Sequence, residues 1–145
     1  MKEIEFHFNV PDKLAYSCRL LRKAVRGGSK AVVTAEPAVL HALDRLLWTF
    51  SPTEFLPHCM AGSAEITLAA TPVLLAETLE GCGADSVLIN LGQGIPADFA
   101  RFERFIEVVS ADEDDRIIGR KRWKLYQAQG HALTRHDASA SREPA

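Results

Sequence analysis

The chain begins with two different hydrophobic periods in succession. Apolar side chains occupy every second position of one short run, which is typical of a strand with one buried face; they are Ile4, Phe6, Phe8 and Val10. Beyond Pro11 and Asp12 the spacing changes to that of one helical stripe, which Gly27 and Gly28 end. The apolar residues of that stripe are Leu14, Cys18, Leu21 and Val25. The segment up to Gly28 therefore predicts a strand followed by a helix.

The same order then repeats. Lys30 to Ala35 is a short, valine-rich run that predicts a second strand, and Pro37 opens a second helical pattern. The leucines of this helix are Leu40, Leu43, Leu46 and Leu47. The helix must end before Ser51 and Pro52, because a proline disfavours helical geometry in the residue before it. Strand, helix, strand, helix is the beginning of an α/β fold.

Three further apolar runs bring the number of predicted strands to five. They are Pro72–Ala76, Ser86–Asn90 and Phe105–Val109. A last helix is predicted from Ser110, whose spacing to Glu113 fits a capping box, to about Gln129. The apolar residues expected to face the sheet from this helix are Ile117, Ile118 and Leu125.

Two segments fall outside this regular order. The loop from Thr49 to about Ala70 is long for an α/β fold, which is typical of a functional or disordered segment, and binding residues often lie on such loops. The polar composition of His136 to Ala145 predicts a disordered tail. We therefore expect one domain over residues 1–133 and a tail over residues 134–145.

The composition limits the class of protein. With 145 residues, 47% hydrophobic and 25% charged side chains and a net charge of −2, the chain has the length and composition of one globular domain. The overall charge gives no indication of nucleic-acid binding. No apolar run reaches the length of a secretory signal or a membrane span, so we expect a cytosolic protein. Three scattered cysteines do not predict a disulfide framework.

The sequence LGQGIPA, after the fourth predicted strand, raises the possibility of a nucleotide site. Gly92, Gly94 and Ala97 fit the permissive dinucleotide fingerprint, and Asp112 stands about where the ribose-binding acid would lie. Such a crossover needs roughly 30 residues and a full helix, whereas only Pro96 to about Glu103 precedes the next strand. A turn with unusual glycine dihedrals is therefore favoured, and a small nucleotide-binding Rossmann-like enzyme is kept as the alternative.

His58 and Cys59 form the other candidate for chemistry. A zinc site needs three or four ligands at recognisable spacings, and a catalytic pair of cysteine and histidine needs an orienting group and an oxyanion hole. The remaining histidines and cysteines considered as ligands are scattered over different elements: His7, Cys18, His41 and Cys82. We therefore predict neither a metal ligand nor a catalytic residue here.

The last predicted helix carries a basic row next to an aromatic side chain. Arg116, Arg120 and Lys124 recur at intervals of four, and Trp123 lies beside them. A charge-balanced helix would explain why acids precede bases, but not the aromatic residue. Cations around a large apolar group suit stacked bases of a single strand or an acidic peptide that ends in a hydrophobic residue. The net acidity and the shortness of the row favour the peptide.

Three motifs together resemble the chi subunit of bacterial DNA polymerase III holoenzyme. They are LWTFSPTEFLPH (Leu47 to His58), SVLINLG with the later F-x-R-F-x-x-x-I-E-V-V (Phe99 to Val109), and R-x-R-W-K-x-Y (Arg120 to Tyr126). The resemblance extends to about Leu133. It implies a Rossmann-like α/β fold without a nucleotide cofactor and without catalysis.

The resemblance also implies two partners and the residues that bind them. Members of the family connect the clamp loader, through the psi subunit, to the acidic, phenylalanine-terminated tail of single-stranded-DNA-binding protein, and contact DNA only indirectly. By motif position the psi-binding aromatic residue is Phe55. The expected tail-binding residues combine motif positions with the shared helix face: Trp48, Arg116, Arg120, Trp123 and Lys124.

Overall fold

Seven parallel strands form one sheet in the computed structural model, which describes residues 3–49, 58–60, 72–79 and 86–140. Within these ranges the strands are β1 (Ile4–Val10), β2 (Ala31–Thr34), β3 (His58–Met60), β4 (Val73–Ala76), β5 (Val87–Asn90), β6 (Arg104–Ser110) and β7 (Leu133–Asp137). Their order across the sheet is β3-β4-β2-β5-β6-β1-β7. The α-helices are α1 (Lys13–Arg26), α2 (Pro37–Thr49) and α3 (Glu113–Ala128). The five predicted strands and the Rossmann-like α/β fold are confirmed.

The sheet is buried on both faces, with α1 and α2 on one side and α3 on the other. Adjacent residues of each central strand therefore enter different cores. Val33 and Ile89 pack with the leucines of α1 and α2, whereas Val32 and Leu88 pack with Tyr126 of α3. This two-sided burial explains why the central strands are continuous apolar runs instead of alternating ones.

Local chemistry fixes the beginning of the first two helices. The Asp12 side chain caps α1 by accepting hydrogen bonds from the backbone N–H groups of Leu14 and Ala15, both at 3.1 Å. Pro37 occupies the first position of α2, where its missing N–H costs no hydrogen bond. No helix in the described ranges is long and apolar enough to cross a membrane.

The shared buried face predicted for Ile4, Phe6, Phe8 and Val10 of β1 is confirmed up to Phe8 and is wrong for Val10. Ile4 and Phe6 enter the core under α3, while Val10 enters the core under α1 and α2. Asn9 between them has a positive φ of 58°, and the pairing of β1 with β6 shifts in register between His7 and Val10. This irregularity turns the end of the strand, so that its alternation breaks before Val10.

The predicted beginning and buried face of the last helix are also wrong. Helix α3 begins at Glu113 with Asp112 as its N-terminal flanking residue, and the Ser110 hydroxyl accepts a bond from Asp112 N instead of capping as predicted. Of the three apolar residues predicted to face the sheet, Ile117 and Leu125 are 42% and 51% exposed, and Ile118 is half-buried. The residues that α3 buries recur at helical spacing but are mostly polar or small: Asp115, Gly119, Arg122 and Tyr126.

A buried carboxylate on β6 explains this polar face. Glu107 is fully buried, and its Oε2 accepts hydrogen bonds from Arg122 Nε at 3.1 Å and from the Tyr126 hydroxyl at 2.5 Å. Its Oε1 accepts from Asn90 Nδ2 at 2.9 Å. Burial raises the pKa of Glu107 and the Arg122 charge opposes that rise. The polar residues of α3 thus face the sheet because the sheet presents a charge to them.

The prediction of a disordered tail from residue 134 is wrong for the described part of that segment. Leu133–Asp137 forms β7, which pairs in parallel with β1 from Ile4 to Phe8, and a single 3-10 turn follows at Ala138–Ala140. β7 lies at the edge of the sheet, where strands are often short and polar. Composition alone therefore could not distinguish it from a tail.

We expect Arg122→Met to lower the free energy of unfolding by about 3–5 kcal/mol, because the Glu107 carboxylate would stay buried without its cation. Urea unfolding of both proteins measures this difference. The difference should shrink from about pH 8 to about pH 5, since a carboxyl whose pKa is raised takes up a proton as the pH falls and the unpaired charge disappears.

The double variant Glu107→Gln, Arg122→Met serves as the control. It should recover part of the loss, because it contains no unpaired charge. An equal loss in the single and double variants at both pH values would instead assign the effect to lost packing.

Candidate partner-binding pocket

A pocket of about 360 Å³ opens between α3 and the edge of the sheet formed by β1 and β7. It lies on the face of the sheet that α3 covers, opposite the face covered by α1 and α2. Its lining residues come from β1, β6, α3 and β7: Phe6, Phe8, Asn9, Val109, Arg116, Gly119, Arg120, Trp123 and Arg135.

The floor of the pocket is aromatic. Trp123 is half-buried and meets Phe6 edge to face, with ring centroids 5.0 Å apart and planes at 69°. Phe8, also half-buried, continues the same surface along β1. Such rings offer a large apolar area to a partner. They lose little conformational freedom when the partner binds, because each has only two side-chain dihedral angles.

Gly119 lets the helix approach the floor closely. A Cβ atom at this position would lie 3.0 Å and 3.1 Å from the two Cγ atoms of Val109 on β6. A larger residue at this position would overlap the Val109 side chain unless one of the two moved. The positions of Arg116, three residues before this contact, and Arg120, one residue after it, depend on that close packing.

Three guanidinium groups surround the floor. Arg116 is half-buried and lies 3.9 Å from Glu113, a weak i,i+3 pair. Arg120 is exposed on the next turn. Arg135 comes from β7, and its guanidinium lies over the Phe8 ring, 5.0 Å from the centroid. Lys124 is exposed one turn beyond Arg120 but does not line the pocket. The arrangement suits a ligand with both an apolar group and negative charge.

The structure does not bring Trp48 to this pocket, although the sequence interpretation grouped it with Arg120. Trp48 lies near the end of α2, on the opposite face of the sheet, and is 61% exposed. Its ring meets the His58 ring edge to face at 5.2 Å, beside β4 and the edge strand β3. The topology separates the two, because α2 and α3 cover different faces.

Phe55 lies outside the described residues, as does the rest of the segment 50–57. His58, which follows that segment, is placed: its Nε2 lies 3.1 Å from Asp44 Oδ1 on α2. This contact, together with the Trp48 ring, ties the beginning of β3 to the end of α2.

The glycine motif after β5 has a structural explanation. The Asn90 side chain accepts a hydrogen bond from Gly92 N and donates one to Gly94 O, both at 2.9 Å. Arg122 Nη1 donates to Gln93 O at 2.9 Å. Between β5 and β6 the chain forms one 3-10 turn, Phe99–Arg101, in place of the full crossover helix that a dinucleotide site requires.

The switch point of the sheet is filled by an ion pair. β1 and β6 are neighbours, yet the helices that follow them lie on opposite faces of the sheet. Open α/β folds bind ligands at the carboxyl ends of two such strands. Asp115 Oδ2 accepts from Ser110 N at 2.7 Å and from Lys13 Nζ at 3.2 Å. Lys13 Nζ also donates to Leu91 O at 2.9 Å. A side-chain carboxylate thus takes the donors that a phosphate would need.

Sequence reasoning missed several residues of the pocket, above all Arg135 and Gly119. Arg135 was missed because it lies in the segment predicted to be disordered, and Gly119 because an isolated glycine in a helical pattern suggests only weaker helix formation. The alternation of Phe6 and Phe8 was a usable signal, but it predicted a core face and not a pocket floor.

Comparisons with known proteins agree along most of the chain. A family model described as "DNA polymerase III chi subunit, HolC" matches residues 1–134. DNA polymerase III subunit chi of Pseudomonas aeruginosa is 31% identical over 125 residues, which cover 86% of this chain and 85% of that protein. The protein of the same name from Haemophilus influenzae is 31% identical over 120 residues, 81% and 82% of the two chains. The Escherichia coli protein is 25% identical over 118 residues, 80% and 79%.

We expect Gly119→Ala to destabilise the protein by about 1–3 kcal/mol, because the added methyl group overpacks against Val109. In an ordinary helix the same change would stabilise by up to about 1 kcal/mol. Gly94→Ala is the matched control, since a Cβ there has no neighbour within 4 Å and should leave stability nearly unchanged. Thermal unfolding of the two variants measures the contrast. Equal midpoints would contradict the close packing of α3.

Proposed function

Because the chain belongs to the family of DNA polymerase III chi subunits, we propose that this replisome accessory subunit binds the acidic carboxyl-terminal tail of single-stranded-DNA-binding protein in the α3 pocket. A second surface binds the psi subunit and so connects the protein to the clamp loader. The protein acts in the cytoplasm as an adaptor without catalysis of its own.

The observation that carries the tail-binding proposal is the aromatic floor between guanidinium groups. A terminal phenylalanine side chain packs on Phe8 and Trp123, while its carboxylate reaches Arg116 and Arg120. Arginine suits this role because its fork of N–H donors matches the two oxygens of a carboxylate. Lys124, just outside the pocket, attracts the acidic residues of the tail over a longer range.

The psi-binding proposal involves the opposite face of the sheet. The segment 50–57, which contains Phe55, connects Trp48 to His58, and these two rings are in contact. The described residues that flank the segment therefore lie close together, next to the exposed Trp48 side chain. Large aromatic residues that are exposed in this way are typical anchors of protein interfaces. We accordingly assign Trp48 to the psi surface and not to the tail pocket.

The separation of the two surfaces supports simultaneous binding. Trp48 and β3 lie at one edge of the sheet, and the pocket beside β1 and β7 lies at the other edge on the other face. An adaptor that connects two partners requires such a separation, since neither partner then excludes the other.

The nucleotide-binding enzyme is the less favoured alternative. Gly92 is closed in by its neighbours: a Cβ there would lie 2.7 Å from Glu36 Oε2. The negative charge of the Glu36 carboxylate beside this turn would also repel a pyrophosphate. The contacts of the LGQGIPA turn support a structural role for its glycines.

We expect Arg120→Ala to weaken binding of a labelled acidic peptide ending in phenylalanine by about tenfold, because it removes a charge-assisted hydrogen bond worth about 1.5 kcal/mol. Fluorescence anisotropy at low and high salt measures the affinity, which should fall as salt screens the exposed charges.

Lys121→Ala is the matched control, since Lys121 is exposed on the same helix but outside the pocket. If both variants bind like the wild type at both salt concentrations, the tail-binding proposal fails. An oligonucleotide that binds in place of the peptide would favour direct nucleic-acid binding.

We expect Trp48→Ala to weaken the complex with psi by about 2 kcal/mol or more, as loss of an exposed aromatic anchor does, while tail-peptide affinity stays unchanged. Co-purification with psi and peptide anisotropy measure the two properties on the same variant. Phe55→Ala should behave alike. A loss of peptide binding by Trp48→Ala would return Trp48 to the tail site.

A further inference from the structure

The edge strand β7 contributes to the pocket a cation that lies outside the α3 motif. Arg135 pairs in register with Phe6 of β1, so the two side chains leave the sheet on the same face. The Arg135 guanidinium lies over Phe8, at 5.0 Å from the ring centroid. This cation–π contact holds the group at the margin of the aromatic floor.

The charge of Arg135 is available to a ligand. Among the residues that the structure describes, neither Arg135 nor Arg120 makes an ion pair with a carboxylate. The acid two residues further along β7 is already engaged: Asp137 Oδ1 accepts from Asn9 Nδ2 at 3.2 Å, from Ser139 N at 3.0 Å and from Ser139 Oγ at 2.6 Å.

The cations of the pocket fall into two groups with the aromatic floor between them. Arg116 and Arg120 lie one turn apart on α3, which gives two guanidinium forks for one carboxylate. Arg135 is single and lies on the edge strand. A ligand that engages both groups must carry negative charge at two separated points, with an apolar side chain between or beside them.

We propose that Arg135 binds an acidic side chain upstream of the ligand's last residue, while Arg116 and Arg120 bind the terminal carboxylate. The inference rests on the proposed function of the pocket and adds one residue to it, Arg135, as the group that binds the upstream acid. β7 is therefore part of the recognition surface.

The experiment compares Arg135→Gln, Arg120→Ala and the control Lys121→Ala with three synthetic peptides. The first is an acidic peptide ending in phenylalanine, the second has its terminal carboxylate amidated, and the third has its aspartates replaced by asparagines. We expect Arg135→Gln to weaken binding of the first peptide about three- to fivefold, which is what an exposed ion pair contributes. It should weaken the amidated peptide by a similar factor and leave the asparagine peptide unaffected, as expected for a coupled pair.

Each other outcome has one meaning. If Arg120→Ala weakens binding and Arg135→Gln does not, the tail-binding function stands and the role of Arg135 is overturned. If neither variant has an effect, the proposed function itself fails. If Arg135→Gln removes the sensitivity to amidation instead, the two cation groups have been assigned to the wrong anions. Circular dichroism and thermal unfolding of Arg135→Gln show whether β7 is intact, and Arg135→Lys should restore part of the affinity.

Discussion

The buried Glu107 carboxylate is the interaction on which the rest of this structure depends. It lies on β6, an inner strand of the sheet, and binds Arg122 and Tyr126 of α3 and Asn90 of the neighbouring strand β5. A charge in such a site is tolerated only with these partners. The rotation of α3 about its axis follows from them, because Arg122 and Tyr126 can reach Glu107 only when that face of the helix meets the sheet. The outward direction of Arg120 follows from the same constraint.

The same network also fixes the loop after β5. Asn90 and Arg122 hold the backbone of the LGQGIPA turn, and Lys13 with Asp115 fills the switch point nearby. A fold that is widely used to bind nucleotides thus has its usual site occupied by its own side chains. The two surfaces proposed to bind partners lie elsewhere: the aromatic and basic pocket beside α3 on one face, and the exposed Trp48 near the end of α2 on the other.

The strands could be predicted well from the sequence, whereas the face of α3 could not. Val32, Val33 and their neighbours are apolar in a short run, and any such run between turns predicts a buried strand. In α3 the buried positions are polar or small, and the apolar residues Ile117 and Leu125 are exposed. Hydrophobic periodicity assumes that apolar residues are buried, so it selected the wrong stripe. Only the knowledge that Glu107 lies opposite would have reversed this choice.

The sequence by itself determined the α/β order of elements, the family and the identity of the basic helix, because these depend on local periodicity and on motifs that are contiguous in the chain. The tertiary structure alone decided which residues share a site. It separated Trp48 from Arg120, because helices on opposite faces of a sheet cannot form one pocket. It brought Arg135 to the pocket beside α3, because β7 pairs with β1, which lies more than 120 residues earlier in the chain. Contacts of that sequence separation follow from sheet pairing, which no local pattern specifies.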